Sequence, residues 1–438
     1  MVDPVSQDSA AISYAKCLAF FLGACLSTAF IIVSTPKAGI NSFPRYAWIV
    51  VILSNCNHLF QQVSATCTSI VVNDVINGYL GFVLLQCCNF LVITRLDEDD
   101  LAKAGVSQSY GFPRKLFRAV CLIFNMRGTG TPWQIKRPNK FPRFFSRHSD
   151  NGEPTRASYV IRQMLIVAWY YLFLDVVFRS SLETPPEDTQ RLFGHGKEFM
   201  YFDATGEQLA ARVVVSITSW LGPGRITIDM AYRGISILAV MLGITSPKDW
   251  PPLFGSIWDA YTIRGCWSTF WHQSFRWPLT SVSNFVCHDI LRLSPRSPLT
   301  RYLNVSIVFF VSGVIHLALD SFSPQPPPLV PTLAFFSFFS IAILLEEVVQ
   351  DVCRRVTGVN TRDSTQRVPL WHKLVGYTWV GFWLTLTSPW FLYHATRLPP
   401  ESKWLVPGSV VSSIGLEAGG ALLVASGLLL KFAIGGEI

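Results

Sequence analysis

NVSIVFFVSGVIHLALD (Asn304–Asp320) is an apolar run fit for lipid, interrupted by one imidazole at His316. A helix needs roughly 20 apolar residues to cross about 30 Å of hydrocarbon, and several windows of this chain, this one among them, approach that length. Lipid offers backbone amides no partner, so such runs cross as helices. Of the 438 residues, 50% are hydrophobic and only 15% charged, with a mean hydropathy of +0.35. Soluble domains carry about a quarter charged residues. The sequence therefore predicts an all-α, polytopic transmembrane helix bundle.

Working outward from Asn304–Asp320, further spans are expected at Leu18–Val33, Ala47–Val63, Gly78–Thr94, Gln163–Phe178, Thr332–Val349, Leu374–Ala395 and Gly408–Leu430. Two apolar pieces, Ala210–Leu221 and Ile226–Ile244, flank GPGR (Gly222–Arg225); one is read as spanning and the other as interfacial. The total is about nine spans. Residues 1–13 lack the basic region of a cleaved leader, so the first span is read as retained. Residues Arg95–Arg162 hold thirteen Lys/Arg against six Asp/Glu, and five prolines (Pro113, Pro132, Pro138, Pro142, Pro154). The positive-inside bias puts this loop in the cytosol, and with it the basic stretch Gln350–Lys373. The N-terminus is then lumenal, the C-terminus cytosolic, and the His316 helix starts from the cytosolic face. The organisation expected is N-terminal helices over 1–94, the basic loop over 95–157 and the core membrane domain over 158–438.

A net charge of +8 in a soluble protein would suggest nucleic acid. Here the basic residues sit in loops between apolar segments, which is how orientation is specified, and nucleic acid is excluded as a partner. The ten cysteines are scattered without a CxxC pair and read as buried small hydrophobes. No HxxxH, HxxHH or HExxH spacing supports a metal site. No GxSxG elbow supports a serine hydrolase.

Three stretches can carry chemistry. His316 lies twelve residues beyond Asn304, roughly 18 Å into the membrane at helical rise, where an ionisable group is by default functional. A neutral imidazole there can take a proton near pH 7, as a general base acting on an alcohol does. The competing reading is a core histidine bonded to a neighbouring helix. Ser312 and Asp320, one turn to either side, are placed to orient the ring. The second stretch, YTIRGCWSTFWHQSFRW (Tyr261–Trp277), packs six aromatic residues, two arginines, a histidine and a glutamine into seventeen positions. If helical, it sets His272 and Arg276 at i and i+4 on one face beside Trp271 and Phe275; the alternative is an interfacial anchor. The third, MRGTGTPWQIKRPNKF (Met126–Phe141), combines glycines, Trp133 and a basic run. It either holds phosphate groups or lies on anionic headgroups. Glu346 and Glu347 lie at the cytosolic end of the span Thr332–Val349, where one of them could face the bundle, with a place at the wet surface the preferred reading.

The order of RGTGTPW (Arg127–Trp133), FWHQSFR (Phe270–Arg276) and SGVIH (Ser312–His316) resembles the wax-synthase-like branch of the membrane-bound O-acyltransferases. It is most similar to the fungal members that acetylate hydroxyl groups of terpenoid and meroterpenoid metabolites. The resemblance implies acyl transfer from acetyl-CoA, a co-substrate rather than a resident cofactor, to a hydrophobic small-molecule alcohol without a covalent enzyme intermediate. It implies His316 as the catalytic histidine and His272, with Gln273, as a second polar position, where His272, Gln273 or Arg276 would stabilise charge developing on the thioester carbonyl oxygen. Gln273, Arg276, Trp271, Arg127 and Trp133 are implied on the donor side. A helix bundle with an internal tunnel in the endoplasmic reticulum membrane would admit CoA from the cytosol and the alcohol from the bilayer. The competing functions are a wax-ester synthase using long-chain donors, and a transporter or binding protein in which the same side chains hold a ligand without chemistry.

Overall fold

The computed structural model describes residues 4–37, 42–66, 69–136, 139–146, 154–321, 326–357, 368–404, 406 and 408–434. Among these every regular element is a helix. The chain divides into two units, one of residues 1–136 and 274–327, the other of 137–273 and 328–438.

The first unit opens with α1 (Pro4–Ser34), α2 (Phe43–Thr66), α3 (Ile70–Cys88) with a π turn at Asn89–Ile93, α4 (Glu98–Lys103) and α5 (Phe112–Phe124). The chain then enters the second unit through α6 (Arg143–Ser146), α7 (Arg156–Leu182), α8 (Pro186–Phe193), α9 (Gly206–Ser219), α10 (Arg225–Met241) and the single turn α11 (Ile263–Gly265). It returns to the first with α12 (Arg276–Asn284) and α13 (Pro298–Asp320). It ends in the second with α14 (Leu329–Thr357), α15 (Leu370–Thr387), α16 (Pro389–Arg397), α17 (Val411–Ile414) and α18 (Leu416–Ile434).

Six of the described helical segments are long and apolar enough to cross a membrane: Ala15–Ser34, Val72–Ile93, Arg156–Leu182, Pro298–Asp320, Leu329–Val356 and Leu416–Ile434. The expected run Leu374–Ala395 is split at Ser388 into α15 and α16. Pro389 causes the break, because it has no N–H to donate and its ring crowds the carbonyl four residues back. The two pieces around GPGR are α9 and α10, joined by a π turn kinked at Gly222. Arg362 and Arg367 of the second basic stretch lie outside the described residues.

Polar contacts set the directions of the helices in the first unit. Lys37, beyond α1, pairs with Asp100 at 2.6 Å and Asp97 at 3.7 Å. Buried Arg45 donates to the Leu96 carbonyl at 2.7 Å and to the Thr35 carbonyl at 2.6 Å. The link after α1 and the start of the basic loop after α3 thus meet at one end. Asp74, early in α3, and Asp320, the last residue of α13, lie within reach of each other's charge, and a methyl on Gly81 of α3 would strike Leu319. Hence the end of α13 packs against α3.

Candidate active site

His316 sits partly buried near the end of α13. Its Nδ1 lies 2.8 Å from the Ser312 carbonyl oxygen one turn back. A carbonyl only accepts, so Nδ1 carries the proton and donates. The lone pair therefore resides on Nε2, and the same bond fixes the ring about its χ angles. The sequence pointed to Ser312 as an orienter; the group that acts is its backbone carbonyl, which helical geometry supplies at i−4 whatever the side chain.

The RGTGTPW segment is a folded turn in the same unit. The Asn125 amide donates to the Thr129 carbonyl at 2.8 Å and accepts from the Thr129 N–H at 2.9 Å. The Ile135 N–H closes the loop onto the Arg127 carbonyl at 3.0 Å. Gly128 has φ +60°, and a Cβ there would lie 2.7 Å from Trp133 Cδ1, so only glycine fits. Arg127 is 3% exposed, and Trp133 stacks on Trp277, centroids 5.6 Å apart and planes 17° from parallel. Phe90, in the π turn after α3, meets Trp277 at 5.3 Å and Trp133 at 6.4 Å. A strip lying flat on lipid headgroups would not bury Arg127, and the half-buried Trp133 is held by its stack on Trp277, so residues 126–135 are a folded part of this unit.

In the second unit the aromatic block is not one helix. After α11 a π turn covers Cys266–Phe270, Trp271 is extended at φ −68° and ψ 153°, and helix resumes only at Arg276. His272 and Arg276 therefore do not share a helical face, contrary to the i, i+4 expectation. Pro278 explains the interruption, since a helix running through it would push its ring into the Ser274 carbonyl, whereas in the first turn of α12 it is tolerated. Trp271 is buried against Trp220 at 5.1 Å, Phe254 at 5.3 Å and Trp267 at 5.6 Å. The His272 ring lies 5.6 Å from Trp271 and 5.9 Å, edge to face, from Phe254. Gln273 is 2% exposed; its Nε2 donates to the Ser268 carbonyl at 2.9 Å, and its buried Oε1 has no partner among the described residues.

What holds so irregular a segment is a pair of carboxylates that the sequence placed at the wet surface. Glu346 and Glu347 of α14 are 7% and 3% exposed. Glu346 accepts the Ile263 N–H and Glu347 pairs with Arg264. Burial is affordable because each anion finds a donor at the start of the block. The signal was present in Arg264, which needs a counter-charge, but its distance in sequence hid the partner. The structure thus gathers Trp271, His272 and Gln273 in the second unit, and Arg127 and Trp133 with the α12 residue after Arg276 in the first, the unit that also holds His316.

Residues 250–339, which include both the aromatic block and His316, match the model described as "Membrane bound O-acyl transferase family". The chain is 49% identical to the acetyltransferase TRI7 of Fusarium sporotrichioides over 95% of each chain. It is 44% identical to the acetyltransferase pyr8 of Aspergillus fumigatus over 97% of this chain and 98% of the relative. To the acetyltransferase atnC of an Arthrinium species it is 35% identical over 97% of each. The chain belongs to the membrane bound O-acyl transferase family. As a membrane-bound O-acyltransferase it takes an acyl donor and an acceptor hydroxyl, and the alternative of a transporter or binding protein without chemistry falls away.

Proposed function

We propose that this O-acyltransferase moves an acetyl group from acetyl-CoA to a hydroxyl of a hydrophobic, polycyclic alcohol of the terpenoid or meroterpenoid class, in the endoplasmic reticulum membrane. The observation that carries the reading is the Nδ1 bond of His316 to the Ser312 carbonyl at 2.8 Å, which leaves Nε2 as the basic nitrogen. Nε2 takes the acceptor's proton as its oxygen attacks the thioester carbonyl carbon. The tetrahedral intermediate collapses with cleavage of the C–S bond, and the imidazolium returns the proton to the departing thiolate. The products are the acetate ester and free CoA, with nothing left on the enzyme. His272 and Gln273 are assigned the second polar position, as donors to the developing oxyanion. Arg127, Arg276, Trp133 and Trp271 are assigned to the donor.

Acetyl rather than long-chain acyl is favoured because the relatives at 49% and 44% identity are both named acetyltransferases. The test is release of CoA from acetyl-CoA by microsomes containing the protein, supplied with hydroxylated terpenoids, beside microsomes with His316→Ala. Acceptor-dependent release that vanishes in the variant is expected. Turnover only with long-chain acyl-CoA and a fatty alcohol would replace this reading by wax-ester synthesis, and near-normal turnover by folded His316→Ala would remove the general-base assignment.

A further inference from the structure

Gln86 and Asn89 stand at i and i+3 on α3 and the turn that follows it, inside a membrane-spanning segment. They are 0% and 1% exposed, and both polar atoms of each side-chain amide have no hydrogen-bond partner among the described residues. Buried polar groups in native structures are almost always paired, so four orphan atoms on two adjacent amides call for a polar occupant. A second feature coincides with them. The helix leaves α geometry at Asn89, where Asn89–Ile93 forms a single π turn, a distortion that recurs at functional sites. Phe90 of that turn rests on Trp133 and Trp277, so the amides adjoin the segment assigned to the donor.

We propose that Gln86 and Asn89 bind the two amide groups of the pantetheine arm of acyl-CoA. The inference rests on the acyl-CoA reading given above. In the arm, two secondary amides are joined through two methylenes, and each offers one N–H and one C=O. A primary carboxamide carries two donors and an acceptor oxygen, so each side chain can give to one carbonyl and take from one N–H. Residues at i and i+3 are about 5–6 Å apart on a helix, a spacing that consecutive arm amides can match. The order along the axis also fits. The Arg127 turn lies beside the π turn at the end carrying the basic loop, Asn89 comes next and Gln86 one turn deeper. Gly81 of α3 meets Leu319, which lies three residues beyond His316 on α13, so the His316 turn is within about two helical turns of Gln86. Phosphates, arm and thioester would thus be met in sequence from the basic end inward.

The experiment compares wild type with Gln86→Met, Asn89→Leu and the double variant, which remove polar atoms at similar volume and so favour folding. Donors are acetyl-CoA, S-acetylpantetheine and the amide-free S-ethyl thioacetate. The double variant is expected to raise KM for acetyl-CoA by about tenfold or more, leave the acceptor KM within about twofold, and cut the preference for S-acetylpantetheine over S-ethyl thioacetate about tenfold. An unchanged donor KM and an unchanged preference would overturn the proposal and make the amides a seat for structural water. Equal losses with both truncated donors would also overturn it. If the double variant does not fold, a diazirine-bearing pantetheine analogue displaced by acetyl-CoA is used on wild type; labelling of α3 supports the site, and labelling confined to other helices rejects it. Wild type that neither turns over nor binds acetyl-CoA would remove the acyl-CoA reading itself, an outcome distinct from normal wild-type kinetics with unaffected variants.

Discussion

Trp133 lies face to face with Trp277, 5.6 Å between ring centroids, although the chain runs through most of a second unit between them. The stack fixes the RGTGTPW turn to the first turn of α12, and Phe90 closes its side. Removing the indole leaves Trp277 and Phe90 without a shared neighbour. Trp133→Ala is expected to cost roughly 2–4 kcal/mol of stability, with Trp133→Phe losing about half as much. Thermal unfolding in detergent measures this, and a change below about 0.5 kcal/mol would show that the stack carries no packing energy.

The turn itself is a sharper target. Gly128→Ala combines a left-handed backbone with a Cβ 2.7 Å from Trp133. We expect a loss of about 1–3 kcal/mol and a raised KM for acetyl-CoA, while Gly130→Ala, which meets nothing within 4 Å but also has positive φ, should lose about 1 kcal/mol. Equal losses at the two glycines would refute the steric part of the argument.

Glu347→Gln removes the charge that pairs with Arg264, and Glu346→Gln weakens the acceptor for the Ile263 N–H. Arg264 is 39% exposed, so water takes over part of its lost pairing and the expected cost of Glu347→Gln is about 1–2 kcal/mol. Activity should fall further than stability, because the block that carries His272 and Gln273 hangs from this anchor. Circular dichroism melts beside kcat at 25 °C separate the two, and a fully active Glu346→Gln/Glu347→Gln protein would dismiss the anchoring role.

Lys37 and Asp100 give the first unit a pH window. The bond to Asp100 holds the Lys37 amine above its usual value; for Asp100, burial is the largest single effect and works upward, but the hydrogen bond and charge of Lys37, the Asp97 backbone and Lys103 together outweigh it and the carboxyl sits below the ordinary carboxylate range. The stability from Asp100 is present above the unfolded carboxylate value of about 4 and is lost as pH falls through the lowered folded value. The stability from Lys37 is present below about 10.4 and is lost as pH rises through its raised folded value. Lys37 is 42% exposed, so the pair contributes about 0.5 kcal/mol at most and less at high salt. Lys37→Met should flatten the difference in melting temperature between pH 7 and pH 3.5 in low salt, and an unaltered difference would show the pair to be silent.

Several of the candidate residues stood out in the sequence because membrane chemistry makes single residues conspicuous. An imidazole in an apolar run announces itself, and so do two glycines beside a tryptophan in a basic loop. Less was legible in the aromatic block, where spacing suggested one helix and the structure has a π turn, an extended Trp271 and a fresh start at Arg276. Pro278 carried that information, but a proline can end a helix, kink it or begin one, and only the packing of the surrounding chain selects among these. The misreading of Glu346 and Glu347 has the same origin, since a carboxylate at a helix end looks solvated until its partners, Ile263 and Arg264, are brought to it.

By itself the sequence determined that this protein is an all-helical membrane protein and singled out His316 as its candidate catalytic residue, because hydropathy and the cost of an ionisable group in lipid are properties of a segment and need no neighbours. Tertiary structure alone decided that Nδ1 of His316 is the donor, that Trp133 rests on Trp277, that the block begins on two buried carboxylates and that Gln86 and Asn89 are buried with their amides unpaired among the described residues. Each of these depends on which groups meet in space, and hydrogen bonds, stacking and burial act over a few ångströms with no regard for how far apart the residues lie along the chain.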